Sequence, residues 1–317
     1  MFALESAMDE LAFELKIDPI ELRRVNDTMK EPIKGNPFTS RSLMACFDEG
    51  AKAFGWSQCK ADPKSMADRD WLVGYGCATS CYPTQMAPAA ARVRLQRDGR
   101  VRVQIAGHEI GNGAYTVIGQ AAAEKLGVPV DKVSVFIGDS DLPPAPVAGG
   151  SNSTASTCST VIMVGGPEMS DKFAYAFGAE FVEVRINRWT HEIRVLRLLR
   201  AFAAGHIMNP RTARSQLMGG LIWGMSSALH EATELDERYA RYVNDNLADH
   251  LLPVNADLAS VEVIMLPEQD DHINPAGVKG IGELGNVGTN AAVCNAIFHA
   301  TGQRLRKLPI RLEQLNI

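Results

Sequence analysis

Residues 276–288 read Ala276-Gly277-Val278-Lys279-Gly280-Ile281-Gly282-Glu283-Leu284-Gly285-Asn286-Val287-Gly288, five glycines in thirteen residues around a single acidic side chain. Glycine accepts positive φ and lets a backbone approach a ligand closely, so the run predicts a tight loop. Thr289 to Ala300 follows with helix-forming alanines, a Thr/Asn cap signal in front and Thr301-Gly302 behind. Glu283 is thus expected on a loop that runs into a helix. A carboxylate held there can act as a general base if burial raises its pKa towards neutrality. The plainer alternative is a connector whose Glu faces water.

Upstream, the hydrophobic period is two in two places. Ala91 to Gln96 and Val101 to Ile105 flank an Asp98-Gly99 turn, and Phe181 to Ile186 and Glu192 to Leu198 flank a turn at Asn187 to His191. Both predict β-hairpins, and the repetition predicts two related halves. Each hairpin leads into a glycine-bearing loop and then a helix: Gly107 to Gly113 before a helix ending at Gly127, and Ala204 to Pro210 before a helix from about Thr212. Amides at such junctions point at anions, so a phosphate or pyrophosphate is a natural guest, although Gly-x-Gly alone also marks ordinary turns. Between the halves lies Gly149-Gly150-Ser151-Asn152-Ser153-Thr154-Ala155-Ser156-Thr157-Cys158-Ser159-Thr160, with eight hydroxyl or amide side chains in twelve residues. That composition reads as a flexible linker or as a polar loop offering donors to an oxygen-rich ligand. Val133 to Ile137 and Val261 to Met265 read as strands. Helices are predicted over residues 3–16, from Asp18-Pro19, and over Ser42 to Phe54.

Composition narrows the function. The chain has 317 residues, 46% hydrophobic and 22% charged, with net charge −5 and pI near 5.8. That balance argues against a nucleic-acid partner, which needs clustered Lys and Arg. The longest apolar stretch, Leu217 to Leu229, is interrupted by glycines and serines and too short to span a bilayer, so no membrane role is expected. The six cysteines form no disulfide framework. Cys77 and Cys81 lack a second pair for a metal and are expected as buried thiols.

The segment Asn274 to Gly302 resembles the C-terminal part of the molybdenum-binding large subunit of the xanthine dehydrogenase and aldehyde oxidoreductase family. In that family the glutamate of a Lys-Gly-x-Gly-Glu loop is the catalytic base beside the molybdenum, and the match falls on Lys279-Gly280-Ile281-Gly282-Glu283. By the same resemblance Gly111-Asn112-Gly113 falls on the Gly-Gln-Gly pterin loop, with Asn112 a methylene shorter than the usual Gln. Gln216 falls on a cofactor-contacting glutamine. Ala155, Ser156, Thr157 and Ser159 fall on the small and hydroxyl residues around the pterin phosphates. Lys279 and Gly280 join the expected cofactor-binding set; no side chain is expected to ligate the metal.

The resemblance implies an α+β chain of two related mixed α/β halves, residues 1–165 and 166–317. It implies a molybdenum–molybdopterin cofactor, with or without a cytosine nucleotide, and oxidative hydroxylation of aldehydes or aromatic heterocycles with water-derived oxygen. Electrons are expected to leave through an iron–sulfur subunit and an FAD subunit. The cytoplasm is the expected compartment, or the periplasm if a partner carries the export signal. The chain is expected to match only the C-terminal part of such a subunit, beginning after its Arg-Pro-Gly loop and shortened internally near Val164 to Glu168. Two alternatives stand beside this reading. One is an inactive fragment or assembly partner. The other is an unrelated phosphate-ligand-binding protein, which calls for a basic residue converging on the Gly111 and Ser151 stretches, and their sequence shows none.

Overall fold

The structure is a computed structural model that describes residues 1–162 and 171–317. The chain opens with helices α1 (Phe2–Leu15), α2 (Pro19–Val25) and α3 (Leu43–Phe54). Asp18 caps α2 as its sequence predicts, its carboxylate accepting from the backbone N–H of Ile20 at 2.7 Å, with Pro19 at the first helical position. Then come β1 (Ala67–Asp68), β2 (Trp71–Pro83), β3 (Arg92–Leu95), β4 (Val101–Gln104), α4 (Ala114–Leu126), β5 (Val133–Phe136) and α5 (Ser153–Ile162). After the undescribed residues follow β6 (Tyr175–Asn187), β7 (Ile193–Ala203), α6 (Pro210–Leu229), β8 (Leu235–Asp236), β9 (Arg241–Tyr242), β10 (Leu258–Met265) and α7 (Thr289–Thr301).

Both predicted hairpins form, in different sheets. β3 and β4 pair antiparallel, and β5 adds to β4 in parallel; β6 and β7 pair antiparallel, and β10 adds to β7 in parallel. The order hairpin, helix, parallel strand therefore occurs twice, with α4 and α6 as the crossovers. This is the expected architecture of two related mixed halves. The larger sheet has the order β1-β2-β6-β7-β10, and β2 pairs with β6 from Trp71↔Asn187 to Pro83↔Tyr175. The expected 165/166 boundary and the expected shortening near Val164 to Glu168 lie outside the described residues.

Alternation along the long strands splits the side chains between two cores. Val182, Val184 and Ile186 pack with Leu198 beneath α6 and α7, while Phe177, Ala179 and Phe181 pack against Cys46, Phe47 and Phe54 around α3. Burying each large apolar side chain contributes about 1.5–3 kcal/mol. α7 lies on β2 through Gly74 and Gly76, where an added Cβ would stand 1.9 Å from the Ala296 oxygen and 2.2 Å from the Ala292 oxygen. The small sheet carries its own core, in which Val103 and Ile105 meet Ile118, Ala122, Ala155 and Cys158.

Two expectations are corrected. The hydroxyl-rich stretch is not a loop from Ser153 onward but the helix α5. Its Thr157 hydroxyl returns to the Ser153 carbonyl at 2.8 Å, and its Ala155 and Cys158 side face the small-sheet core. The cap of α7 is Gly288 at φ 96°, rather than Thr289 or Asn290. The Cys77 thiol is wholly buried and burial pushes its pKa up, as for Cys46, raised to about 12. All six cysteines are free. No helix among the described residues is long and apolar enough to cross a membrane.

Candidate functional site

The glycine-rich 276–288 segment hangs from the end of the larger sheet. Beyond β7, Gly205 bridges Val278 antiparallel, and the His206 N–H donates to the Gly277 carbonyl at 2.8 Å. A side chain at Gly205 would place its Cβ 2.3 Å from that carbonyl oxygen, so only glycine permits the approach. The segment then turns through a short 3₁₀ turn, Leu284–Asn286, into α7. Here Gly285 lies against α6, where a Cβ on Gly220 would meet the Gly285 Cα at 2.5 Å.

This segment, the loop before α4, the approach to α5 and the first turns of α6 enclose a cavity of about 580 Å³. That falls within the range of small-molecule sites. Glu283 lines it, together with Gly111, Asn112, Ala155, Gln216, Lys279 and Gly280 from the expected cofactor-binding set. Gly113 caps α4 at its edge. Ser156, Thr157 and Ser159 are not among the lining residues. The Ser156 hydroxyl donates to the Asn152 carbonyl at 2.8 Å and accepts from the Ala87 N–H at 3.1 Å, within the packing of α5.

Three polar atoms in the cavity wall await a partner. The buried Oε2 of Glu283 and the buried side-chain oxygens of Asn112 and Asn152 accept no hydrogen bond among the described residues. Burying such groups is costly unless something donates to them. An N–H-bearing ligand such as a pterin would satisfy the amides, and a hydroxyl-bearing reactant would satisfy the carboxylate. Around Gly111, at φ 90°, an added Cβ would meet nothing within 4 Å, so open space remains for a ligand against the backbone. The residues therefore fit a molybdopterin. The Tyr82 phenol lies beside Glu283; burial, and then that carboxylate, raise its pKa.

Other expected contacts are engaged within the chain. Lys279 is the one Lys or Arg among the lining residues, but its ammonium points into the protein, 3.0 Å from Glu268 Oε2 and 3.4 Å from Asp270 Oδ2, with the Ser40 hydroxyl alongside. Its charge anchors the loop. The Gln216 amide donates to the Gly282 carbonyl at 2.7 Å. The Gly111 and Gly113 amides donate to Glu109 Oε1 at 2.9 and 3.0 Å, so a carboxylate of the chain occupies the donors that the loop offers an anion.

Ser151 escaped the sequence reading. It adopts φ 55°, its hydroxyl accepts the Glu283 N–H at 3.1 Å, and its side chain fills the space that Cβ atoms on Gly280 and Gly282 would take. The glycines of the Glu283 loop thus admit Ser151 rather than a ligand. Nothing local announced this, because the partners are 132 residues apart. Among the described residues, no cluster of His, Cys, Asp and Glu has metal-holding geometry.

Known proteins resemble the chain over most of its length. The molybdopterin cofactor-binding domain family matches residues 49–165 and 164–259. The aldehyde oxidoreductase molybdenum-binding subunit PaoC of Escherichia coli (strain K12) is 37% identical over 99% of the chain and 50% of its own length. The xanthine dehydrogenase molybdenum-binding subunit of Escherichia coli O157:H7 is 28% identical over 99% of the chain and 51% of its own length. The aldehyde oxidoreductase structure from Desulfovibrio desulfuricans superposes with a TM-score of 0.82 at 23% identity, covering 99% of the chain and 39% of that protein. The chain spans about half the length of the curated relatives it matches.

Proposed function

The chain belongs to the molybdopterin cofactor-binding domain family, among the molybdenum-binding subunits of xanthine dehydrogenases and aldehyde oxidoreductases, and from that premise we propose that its cavity serves oxidative hydroxylation of aldehydes with Glu283 as the base. The observation that carries this reading is the buried, unpartnered Oε2 of Glu283 at the wall of a cavity that also holds two unsatisfied amide oxygens. Aldehydes are favoured over heterocycles because identity to the aldehyde oxidoreductase subunit, 37%, exceeds that to the xanthine dehydrogenase subunit, 28%.

Asn112, Asn152 and the open face at Gly111 would hold the pterin, and the hydroxyls of Ser153 and Thr154 its phosphate. The bound cofactor supplies a two-electron acceptor and a site for water-derived oxygen. Glu283 would hold, at its carboxylate, the proton released as the water-derived oxygen adds to the carbonyl carbon. The Ser151 hydroxyl holds the glutamate through its backbone N–H, so the anchor does not use the carboxylate, which lies beside the Tyr82 phenol. Water and aldehyde give carboxylic acid, two protons and two electrons. We assign the exit of those electrons to iron–sulfur and FAD subunits that assemble with this one.

Turnover in ¹⁸O-labelled water tests the reaction class. The carboxylate product, corrected for exchange of the aldehyde oxygen with water, is expected to carry one oxygen from the water; a product without that label would exclude this mechanism.

A further inference from the structure

Beneath the Glu283 loop lies an ion pair that the proposed chemistry does not use. Glu180 on β6 and Arg200 on β7 stand directly opposite each other in the strand register, facing the turn that carries Glu283. Both side chains are wholly buried, and they are in contact as a salt bridge. Arg200 also serves the turn: Nη1, the nitrogen that meets Glu180, donates to the Gly285 carbonyl at 2.6 Å and Nη2 to the Val287 carbonyl at 2.8 Å, while Nε has no partner among the described residues. The guanidinium also lies 4.4 Å from the centroid of the Phe202 ring, which limits its freedom to tilt.

These two carbonyls belong to the 3₁₀ turn and its exit, two and four residues after Glu283, where regular helical partners are lacking. Glu180 bounds the same turn on its far side, 3.2 Å from where a Cβ on Gly288 would stand. The turn is therefore fixed between α6 at Gly220 and the buried Glu180–Arg200 pair on the sheet, where burial raises the Glu180 pKa and lowers that of Arg200. A buried pair is an expensive way to fill a core, since apolar residues of similar volume are often as stable or more so. A planar fork that grips two carbonyls does something that an apolar side chain cannot.

We propose that Arg200, held by Glu180, is a positioning residue for Glu283, fixing the turn that aims the carboxylate into the cavity. This rests on the reading of Glu283 as the base, but its hold on the loop can be measured without cofactor. The informative variants are Arg200→Lys, which keeps the charge but loses the fork, and the double change Arg200→Met with Glu180→Met, which removes the pair without stranding a charge. Hydrogen exchange of the peptide covering residues 280–288 is measured in the full chain, beside the denaturation midpoint, and kcat and KM are measured per bound molybdenum.

The double variant is expected to keep a midpoint near that of the parent while its 280–288 amides exchange about tenfold faster or more, with exchange elsewhere unchanged. Its kcat is expected to fall by roughly 10–100-fold with KM within about twofold, as misplacement of a reacting group by about an ångström implies. Arg200→Lys is expected to lie between the two. Should the double variant fail to fold, Arg200→Lys alone decides by the same readouts. Unchanged exchange over 280–288 together with unchanged kcat per molybdenum would overturn the proposal. Faster exchange with turnover that also survives Glu283→Gln would keep Arg200 as the loop's anchor but refute its role in positioning a base.

Discussion

Replacing Glu283 by Gln is expected to reduce aldehyde turnover per bound molybdenum by roughly 10²–10⁴-fold, the usual contribution of a positioned general base. The substitution keeps the shape and removes only the capacity to take a proton. Its structural effect should be slight. The backbone of residue 283 is held through its N–H on the Ser151 hydroxyl, and the neighbouring Gly282 carbonyl is held by Gln216, so neither anchor involves the carboxylate. The Glu283 Oε2 makes no hydrogen bond that an amide would lose. Molybdenum content and the denaturation midpoint should therefore match the parent. Turnover within about threefold of the parent, with metal content equal, would remove Glu283 from the chemistry.

Lys279→Met is expected to act on stability instead, lowering it by about 3–5 kcal/mol, because it leaves buried carboxylates without their cation. Glu268 accepts from the Ser42 hydroxyl at 2.7 Å and the Gly205 N–H at 2.8 Å as well as from Lys279, and its side chain is 4% exposed. Burial by itself would raise the Glu268 pKa, but Lys279 and these donors outweigh it and the carboxyl sits below its ordinary value. A depressed folded-state pKa stabilises the fold above the unfolded value, near 4.3, and the contribution is lost as pH falls through the folded value. In the variant the sign reverses: burial without the lysine raises the carboxyl, so stability should increase as pH falls from 7 towards 5. Urea midpoints across that range measure both effects. A variant as stable as the parent at pH 7, with the same pH slope, would contradict the assignment of Lys279 as the loop's anchor.

The parts of the molecule that were legible in the sequence are those with a local period. Val182, Val184 and Ile186 alternate with Phe181 and Glu183, and the strand they announce is there, though β6 runs from Tyr175 to Asn187 rather than over the six residues the pattern marks. The 13-residue strand β2 carries Gly74 and Gly76 near its start. They are the points at which α7 meets the sheet, a fact that belongs to a partner more than 200 residues away. Composition misled at Ser153 to Thr160. Hydroxyl-rich segments suit loops in general, but here the Ser156 and Thr157 hydroxyls return to backbone carbonyls one turn back and the helix buries Ala155 and Cys158.

The site shows the same division. Glu283 and the glycines around it are contiguous, so their loop could be read directly. Lys279 could not be assigned from the loop alone. Whether its ammonium faces a phosphate or the protein depends on Glu268, Asp270 and Ser40, and the geometry makes it an internal anchor. Arg200 lies beyond the Glu192 to Leu198 strand read from the sequence and was not singled out there. Its partner follows only from the strand register that sets Glu180 across from it.

The most direct measurement is the molybdenum and pterin content of the chain purified from a host that makes the molybdenum cofactor, beside a Gly111 variant with a bulky side chain in the open space against that residue. Near-equimolar molybdenum and pterin in the parent, lost in the folded variant, is the result expected of a cavity that holds the cofactor between Gly111 and Glu283. A well-folded parent chain carrying neither, or a variant that carries as much as the parent, would contradict it.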